Sequence, residues 1–309
     1  MISDYDILVI LGPTASGKTS LAAAVAARLE GEIISADSRQ VYRGMDLGTG
    51  KDYNDYFVGG KRITYHLIDI ADPGYKYNLF EYQRDFFRVY DNLRKRGVFP
   101  VVCGGSGMYL DSIISKYKLV EVLPDAGLRN SLRMKSMEEL IRILSAYKKL
   151  HNITDIDTKK RAIRAIEIEQ YNLTRPRKQS ELPDLKILVT GLMPAREKRR
   201  AGISERLKAR LDAGMVGEVK KLLESGVAAD TLIYYGLEYK YITLYLTKKL
   251  TYPEMVRELE IAIHQYAKRQ MTWFRGMERR GIMINWLDGE MNAEEKISKI
   301  MELLGVTSV

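Results

Sequence analysis

The chain is poor in several residue types that would indicate a particular class of protein. Its 309 residues include one cysteine, two tryptophans and three histidines. The single cysteine, Cys103, excludes an internal disulfide and a cluster of thiol ligands, as is usual in a reducing compartment. The histidines, at positions 66, 151 and 264, lack the paired spacing of metal ligands, so we expect none of them to be catalytic.

Long apolar runs and an amino-terminal targeting pattern are also missing. The first residues, MISDYDILVILG, carry acids where a signal peptide carries Lys or Arg. The apolar run within them is too short to cross a bilayer. We therefore expect a cytoplasmic protein with no membrane partner.

The residues that are abundant fit a folded protein with a basic surface. Hydrophobic residues make up 46% of the chain, which is enough for one large α/β domain with an insertion, or for two domains. Lysine and arginine exceed aspartate and glutamate by 49 to 40, a net charge of +9. This balance favours a polyanionic partner, although a solvated basic surface has the same composition.

Residues 12–19, GPTASGKT, match the phosphate-loop pattern G-x-x-x-x-G-K-[ST] in full, between an apolar strand and an Ala-rich helix. Backbone N–H groups of such a loop surround an anion, Lys18 supplies a point charge, and the Thr19 hydroxyl can ligate Mg²⁺. The loop selects the anion but not the reaction, because kinases, NTPases and other transferases share it. The predicted residues that bind this diphosphate or triphosphate are Gly12, Pro13, Thr14, Ala15, Ser16, Gly17, Lys18 and Thr19.

Strand-like and helix-like segments alternate along the rest of the first 117 residues. Further strands are predicted at residues 32–37 and 98–105, with an amphipathic helix at 79–96 between them. Charged helical segments follow up to about residue 184, where a strand-like segment returns. We predict an α/β fold: a P-loop NTPase-like parallel sheet flanked by helices, from residues 1–117 and 185–309, with a mostly helical insertion domain at 118–184. A last strand is predicted at residues 282–287.

Polar residues follow two of these strands at the edge of the sheet where ligands bind. Asp37 ends the strand at 32–37, and Ser106 lies in a second glycine-rich turn, CGGSGMYL. Asp37 can cap a turn, hold Mg²⁺ through water, or act as a general base. These roles stay open at this point.

Six segments of the chain occur in the order seen in the tRNA dimethylallyltransferases, the IPP transferase family. They are GPTASGKT, SADSRQVYRGMDLGT, YHLID, GGSGMYL, KKRAIRAIEI and YAKRQMTWFR. The chain resembles this family from about residue 7 to residue 287. Two places depart from its usual pattern: GTGKD at residues 48–52 stands where the family usually has Gly-Thr-Ala-Lys-Pro, and Ser106 stands where it usually has Thr.

The resemblance implies transfer of a dimethylallyl group from dimethylallyl diphosphate to N6 of the adenine on the 3′ side of a tRNA anticodon. The phosphate loop would then hold the diphosphate as a leaving group, with Mg²⁺ as cofactor. No DDxxD motif occurs, so the metal cluster of chain-elongating prenyl synthases is not expected. The implied catalytic residues are Asp37 as the base for the N6 proton, Ser106, and Arg196 as a further contact of the diphosphate.

The implied macromolecular partner is the tRNA anticodon stem-loop, bound by a monomer. The target base must leave its stack, which requires contacts to the surrounding RNA. Basic residues of the segment TKKRAIRAIEI suit this role, Arg129 matches a tRNA-contacting arginine of the family, and the segment HQYAKRQMTWFRGMERR is expected to line the substrate channel. The predicted tRNA-binding residues are Asp37, Ser38, Arg39, Gln40, Ser106, Arg129, Lys160, Arg161 and Arg164.

Three other functions also fit parts of the pattern. The first is a P-loop small-molecule kinase, and the second is an adenylate isopentenyltransferase that uses free AMP, ADP or ATP as acceptor. Neither of these needs the basic helical insertion. The third is an RNA-binding protein that uses the phosphate loop as a nucleotide switch, which leaves the grouping of Asp37, Ser106 and Arg196 unexplained.

Overall fold

The computed structural model describes residues 3–148, 156–174 and 182–306. The chain divides into two compact units, Met1–Tyr117 together with Asp184–Val309, and Lys118–Pro183. His151 lies outside the described residues. No helix in the described ranges combines the length and the apolar character needed to cross a membrane.

A six-stranded sheet forms the centre of the first unit, and a short hairpin lies apart from it. The strands in chain order are β1 (Ile7–Leu11), β2 (Glu32–Ala36), β3 (Phe57–Val58), β4 (Lys61–Arg62), β5 (Tyr65–His66), β6 (Pro100–Gly104), β7 (Ile187–Met193) and β8 (Asn285–Asp288). The sheet order is β5-β2-β6-β1-β7-β8 with parallel pairing throughout, whereas β3 and β4 pair antiparallel.

Helices of the first unit cover both faces of the sheet. The described residues form twelve α-helices, of which three belong to the second unit. They are α1 (Lys18–Leu29), α2 (Leu79–Lys95), α3 (Gly107–Ile114), α4 (Ala126–Arg133), α5 (Met137–Tyr147), α6 (Lys159–Thr174), α7 (Arg196–Asp212), α8 (Met215–Glu224), α9 (Ala229–Tyr234), α10 (Leu237–Leu246), α11 (Tyr252–Arg279) and α12 (Ala293–Leu303). Every residue of β1 is buried, as expected for a central strand covered on both faces. The predicted class, a parallel sheet flanked by helices with a helical insertion, is confirmed.

The three central strands β1, β2 and β6 end at the same edge of the sheet. Leu11 and Ala36 are both in register with Gly104. A Cβ atom at Gly104 would overlap the backbone carbonyl of Ala36, so glycine allows this close approach. The phosphate loop, the segment after β2 and the turn after β6 therefore lie side by side, as the strand pattern predicts.

Several boundaries differ from the predicted ones by one to three residues. Strand β2 ends at Ala36 rather than at residue 37, β6 spans Pro100–Gly104 rather than 98–105, and α2 ends at Lys95 rather than at residue 96. Strand β8 begins at Asn285 rather than at residue 282, because α11 continues to Arg279 and its end is followed by the positive-φ residue Gly281. The helix α1 ends at Leu29, and the next residue, Glu30, has the left-handed conformation. With these boundaries, Asp37 directly follows β2 and Ser106 lies in the turn after β6.

The second unit has a small helical core of its own. The buried side chains of Leu132, Leu140, Leu144, Ala162 and Ile166 form it, from α4, α5 and α6. The helix α5 begins with a capping box in which Ser136 and Glu139 satisfy each other's backbone N–H groups.

Candidate functional site

A cavity of about 270 Å³ lies at the carboxyl edge of the sheet in the first unit. Its walls come from the end of β6, from the segments that follow β1 and β2, and from α1, α7, α10 and α11. The lining residues are Thr14, Lys18, Thr19, Asp37, Ser38, Arg39, Gln40, Gly48, Thr49, Gly50, Tyr56, Cys103, Gly104, Arg206, Arg210, Gly236, Leu237, Glu238, Ile263, Tyr266 and Gln270.

The phosphate loop supplies one wall of the cavity. Gly17 adopts the left-handed conformation with φ of 75° at the N-terminus of α1, a position that favours glycine. The Nζ atom of Lys18 donates a hydrogen bond to the carbonyl of Pro13 at 3.3 Å. Burial lowers the pKa of Lys18 from its usual range, opposed by Cys103 and Asp37 and assisted by Arg206 and Arg210. This part of the cavity therefore favours a bound anion.

The donor set of this wall fits Mg²⁺ that is bound together with a diphosphate. The described residues contain no group of three or more His, Cys, Asp or Glu side chains that could hold a metal ion by themselves. Thr19 lines the cavity next to Lys18. Mg²⁺ usually keeps water ligands and takes phosphate oxygens with few protein ligands, so a single hydroxyl is a suitable protein contribution.

The segment after β2 lines another part of the same cavity. The Oδ1 atom of Asp37 accepts a hydrogen bond from the backbone N–H of Arg39 at 2.9 Å, so the carboxylate also caps a turn. The Oγ atom of Ser106 accepts from the backbone N–H of Ser38 at 2.9 Å and donates to its hydroxyl at 3.2 Å. Gln40 donates to the carbonyl of Gly50 at 3.1 Å. The structure therefore brings the predicted residues Asp37, Ser38, Arg39 and Gln40 together along the cavity, with Ser106 buried behind Ser38.

Two arginines that the sequence analysis did not single out lie in the same cavity. Arg206 and Arg210 are on α7, and both line the cavity. They share one face of the helix with the buried residues Ile203 and Leu207, at spacings of i, i+3, i+4 and i+7. Charged residues at core-facing positions are a signal that could have identified them.

Arg196, the implied further contact of the diphosphate, lies outside the cavity lining. It is the first residue of α7, is exposed, and is not among the described residues that line the cavity. Arg206 lies almost three helical turns further along, about 15 Å away along the helix axis. The role of Arg196 at the diphosphate stays a prediction, while Arg206 and Arg210 have the position expected for such a contact.

The long helix α11 contributes Ile263, Tyr266 and Gln270 to the cavity wall. Tyr266 is half-buried, and desolvation raises its pKa while a hydrogen bond with Ser106 opposes that shift. The buried side chain of Gln270 accepts from the backbone N–H of Thr14 at 2.9 Å and donates to the carbonyl of Gly105 at 2.8 Å. The sequence analysis expected this helix at the channel but did not identify Tyr266 or Gln270.

The predicted RNA-contacting arginines of the second unit take part in ion pairs. Arg129 donates two hydrogen bonds to the carboxylate of Glu167, at 2.9 and 2.7 Å. Arg164 contacts the same carboxylate, and Arg161 pairs with Asp157. Burial alone would raise the pKa of Glu167, but hydrogen bonds from Arg129, from the Asp125 backbone and from Arg164 lower it overall.

These ion pairs give two of the predicted residues a structural role. Arg129 on α4 pairs with the buried Glu167 of α6 and so links the two helices, whereas Arg164 contacts the same carboxylate from within α6. The exposed fractions of the two arginine side chains are 41% and 38%. Lys160 is exposed near the start of α6. The predicted tRNA contacts of Arg129, Lys160, Arg161 and Arg164 stay predictions.

Comparison with known proteins places the chain among prenyl-transferring enzymes. The family model described as IPP transferase matches residues 40–277. The model described as isopentenyl transferase matches residues 5–73, which include the phosphate loop and Asp37.

Curated relatives match almost from end to end. A protein of Phocaeicola vulgatus named tRNA dimethylallyltransferase 2 is 61% identical over 300 residues, covering 97% of this chain and 98% of that protein. A protein of the same name from Bacteroides fragilis is 60% identical over 301 residues, covering 97% of this chain and 98% of that protein.

Solved structures show the same fold. The full-length tRNA isopentenylpyrophosphate transferase of Bacillus halodurans has a TM-score of 0.71 and 29% identity, with 98% of this chain and 96% of that chain covered. A eukaryotic dimethylallyltransferase acting on tRNA has a TM-score of 0.78 at 20% identity, covering 98% of this chain and 80% of that chain, and shows a common fold. On the family match and the near full-length identity, this chain belongs to the IPP transferase family.

Proposed function

We propose that this protein transfers a dimethylallyl group from dimethylallyl diphosphate to N6 of the adenosine on the 3′ side of a tRNA anticodon. The observation that carries the proposal is a single cavity whose lining residues include four cationic side chains, Lys18, Arg39, Arg206 and Arg210, and the carboxylate of Asp37. Such a cavity can hold an anionic leaving group and a proton acceptor around one reacting carbon. The acceptor is inferred from relatives of nearly full length that are named tRNA dimethylallyltransferases.

The cationic wall suits a diphosphate that leaves. The bond between C1 of the dimethylallyl group and the diphosphate oxygen breaks, and its electron pair stays on the diphosphate. Negative charge therefore grows on the leaving group in the transition state, and the Lys18 ammonium, the loop N–H groups and the guanidinium groups of Arg206 and Arg210 stabilise it. When bound at Thr19, Mg²⁺ would supply further neutralisation of the diphosphate charge.

Asp37 suits the removal of a proton from the attacking amine. The adenine N6 lone pair is delocalised into the ring, so N6 is a weak nucleophile until its proton is transferred. The Oδ1 atom of Asp37 is held by the Arg39 N–H, which orients the carboxylate and makes Oδ2 the atom that takes the proton. The N6 lone pair forms the new C–N bond to C1 as the bond from C1 to the diphosphate oxygen breaks. The N6 proton passes to Oδ2 of Asp37, so the product amine is neutral.

The polar segment after β2 suits recognition of the acceptor base. Ser106 fixes Ser38 by two hydrogen bonds and also contacts Tyr266, so these groups are ordered before substrate binds. Gln40 and Arg39 line the same wall. A base turned out of the anticodon loop would meet these side chains, and the basic second unit would contact the surrounding phosphates. We place this reaction in the cytoplasm and assign it to a monomer.

The experiment that tests the proposal uses the purified protein with Mg²⁺, dimethylallyl diphosphate and unmodified tRNA. The tRNA is digested to nucleosides, and adenosine is examined by mass spectrometry for the added dimethylallyl mass. Parallel reactions contain AMP or ATP instead of tRNA. We expect the mass gain only with tRNA and only on the adenosine next to the anticodon.

The other outcomes identify the alternatives directly. Prenylation of AMP or ATP with no gain on tRNA would show an adenylate isopentenyltransferase. Loss of ATP with no prenylated product would show a kinase or an NTPase. Lys18→Ala serves as the control, because it removes the phosphate-loop cation and should abolish product in the tRNA reaction.

A further inference from the structure

We infer that Asp52 is a built-in counter-ion of Arg206 and Arg210 that competes with the diphosphate for both guanidinium groups. It would thereby weaken diphosphate binding and speed release of the diphosphate product. The inference rests on the proposed function only in naming a diphosphate as the ligand of this wall. It assigns a role to a position where this chain departs from the usual family pattern.

The contacts of Asp52 are with both cavity arginines. Its Oδ2 atom lies 2.5 Å from Nη2 of Arg206 and 3.4 Å from Nη2 of Arg210. Arg206 also reaches the carbonyl of Gly50 at 3.4 Å. One carboxylate oxygen is therefore shared by two guanidinium groups that line the cavity and offsets part of their positive charge.

Gly50 explains how Arg210 reaches this position. Gly50 has a φ of 73°, a conformation that side chains rarely adopt, and a Cβ atom there would overlap the guanidinium of Arg210. The usual family pattern has Ala at this position and Pro at position 52. The two departures in GTGKD therefore act on one contact: glycine makes room for the guanidinium, and the aspartate neutralises it.

The arginine pair retains capacity for an anion. Within the described part of the chain, the Nε atom of Arg210 is buried and has no hydrogen-bond partner. Burial lowers the pKa of Arg210, and the neighbouring charge of Arg206 adds to the effect. A buried donor without a hydrogen-bond partner is costly, and an incoming phosphate group would satisfy it.

Ion pairs and hydrogen bonds of neighbouring residues fix the loop that carries Asp52, and they thereby hold its carboxylate in position. The buried Nζ of Lys51 lies 2.8 Å from the carboxylate of Asp46 and 2.5 Å from that of Asp69. The carboxylate of Glu218 accepts hydrogen bonds from three successive backbone N–H groups, those of residues 46, 47 and 48. A diphosphate must therefore draw the arginines away from a fixed anion.

The first test measures binding of inorganic pyrophosphate in a Mg²⁺ buffer by isothermal titration calorimetry. We expect Asp52→Asn to lower the Kd for pyrophosphate about three- to tenfold, because a competing charge next to the arginines is removed. The KM for dimethylallyl diphosphate should fall with it, without a rise in kcat. Asp55→Asn is the matched control: it removes a carboxylate three residues on that accepts from Ser20, and should change the Kd less than twofold.

Gly50→Ala should have the opposite effect on the Kd for pyrophosphate. Its Cβ atom would displace Arg210, so we expect the Kd for pyrophosphate to rise about threefold or more. If instead Asp52→Asn weakens pyrophosphate binding or leaves it unchanged while the variant stays folded, Asp52 orients the arginines and the inference is wrong. These binding measurements need no acceptor, so they test the role of Asp52 even if the tRNA reaction fails. If the enzyme is active and Asp52→Asn leaves pyrophosphate binding unchanged, only this inference is overturned and the proposed function stands.

Discussion

Gln270 ties the long helix α11 to the phosphate loop: the backbone N–H of Thr14 donates to its Oε1 atom at 2.9 Å. The other end of the same amide donates to the carbonyl of Gly105 at 2.8 Å, in the turn that leads to Ser106. A single buried side chain therefore links the phosphate loop to the turn that leads to Ser106.

The first prediction concerns this bridge. Gln270→Glu replaces the Nε2 donor by an oxygen that faces the Gly105 carbonyl, so the buried contact becomes repulsive. We expect kcat/KM for dimethylallyl diphosphate to fall about tenfold or more and the free energy of unfolding to fall by about 1–3 kcal/mol. Gln265→Glu makes the same exchange at an exposed position of the same helix and should change neither. Equal effects of the two variants would show that the bridge has no role in the site.

The second prediction separates the two roles that the sequence leaves open for Asp37. Asp37→Asn keeps an oxygen that can accept from the Arg39 N–H but removes the group that takes a proton. We expect kcat to fall about 100- to 10,000-fold with tRNA affinity nearly unchanged. Single-turnover prenylation and tRNA binding measure the two quantities. A fully active Asp37→Asn enzyme, with Asp37→Ala inactive, would mean that Asp37 only caps the turn.

The third prediction concerns the arginine pair held by Glu167 in the second unit. Glu167→Gln should lower the free energy of unfolding by about 1–3 kcal/mol at pH 7, because two guanidinium groups lose their buried partner. Urea titration measures this loss. Glu169→Gln, on the same helix and paired with Lys148 at 3.3 Å, is the control and should cost less.

The pH dependence of this ion pair has a definite sign. The pKa of Glu167 is lower in the folded state than the ordinary value of 4.5. Its contribution to stability is therefore fully present above about pH 4.5 and is lost as the pH falls through the lower folded value. The difference between wild type and Glu167→Gln should accordingly shrink in urea titrations below pH 4.5, and a difference that grows there would contradict the assignment.

The fourth prediction concerns the single cysteine. Cys103 is buried next to the phosphate loop, and burial raises its pKa to about 11, with Lys18 opposing the shift. We expect its reaction with a thiol reagent at pH 8 to be about 100-fold slower in the native protein than in guanidinium chloride, because thiolate is scarce. Labelling of the native protein as fast as in guanidinium chloride would contradict the buried position of Cys103.

Much of the fold, the phosphate loop and the position of Asp37 could be predicted from the sequence. The phosphate loop has a local pattern with a fixed backbone conformation, and the burial of strand β1 on both faces follows from its continuous apolar run. Asp37 was identifiable because a polar residue at the end of a parallel strand faces the ligand edge.

The positions of Arg206, Arg210 and Gln270 in the site depend on tertiary packing. Helix α7 contains many basic residues, and only the buried neighbours Ile203 and Leu207 show which arginines turn inwards. The role of Gln270 requires the loop and the second turn to be adjacent, a contact across 256 residues of sequence. The Gly50 and Asp52 departures were visible in the sequence, but their common cause, the guanidinium of Arg210, was not.

The most direct test of the proposed function uses two anticodon stem-loops that differ in one functional group, the N6 amine. One carries adenosine on the 3′ side of the anticodon, and the other carries purine riboside, which lacks the N6 amine. With Mg²⁺ and dimethylallyl diphosphate, we expect a dimethylallyl mass gain on the first RNA and none on the second. A gain on both RNAs would contradict N6 as the acceptor, and a gain on neither, with pyrophosphate still bound by the protein, would contradict tRNA as the substrate.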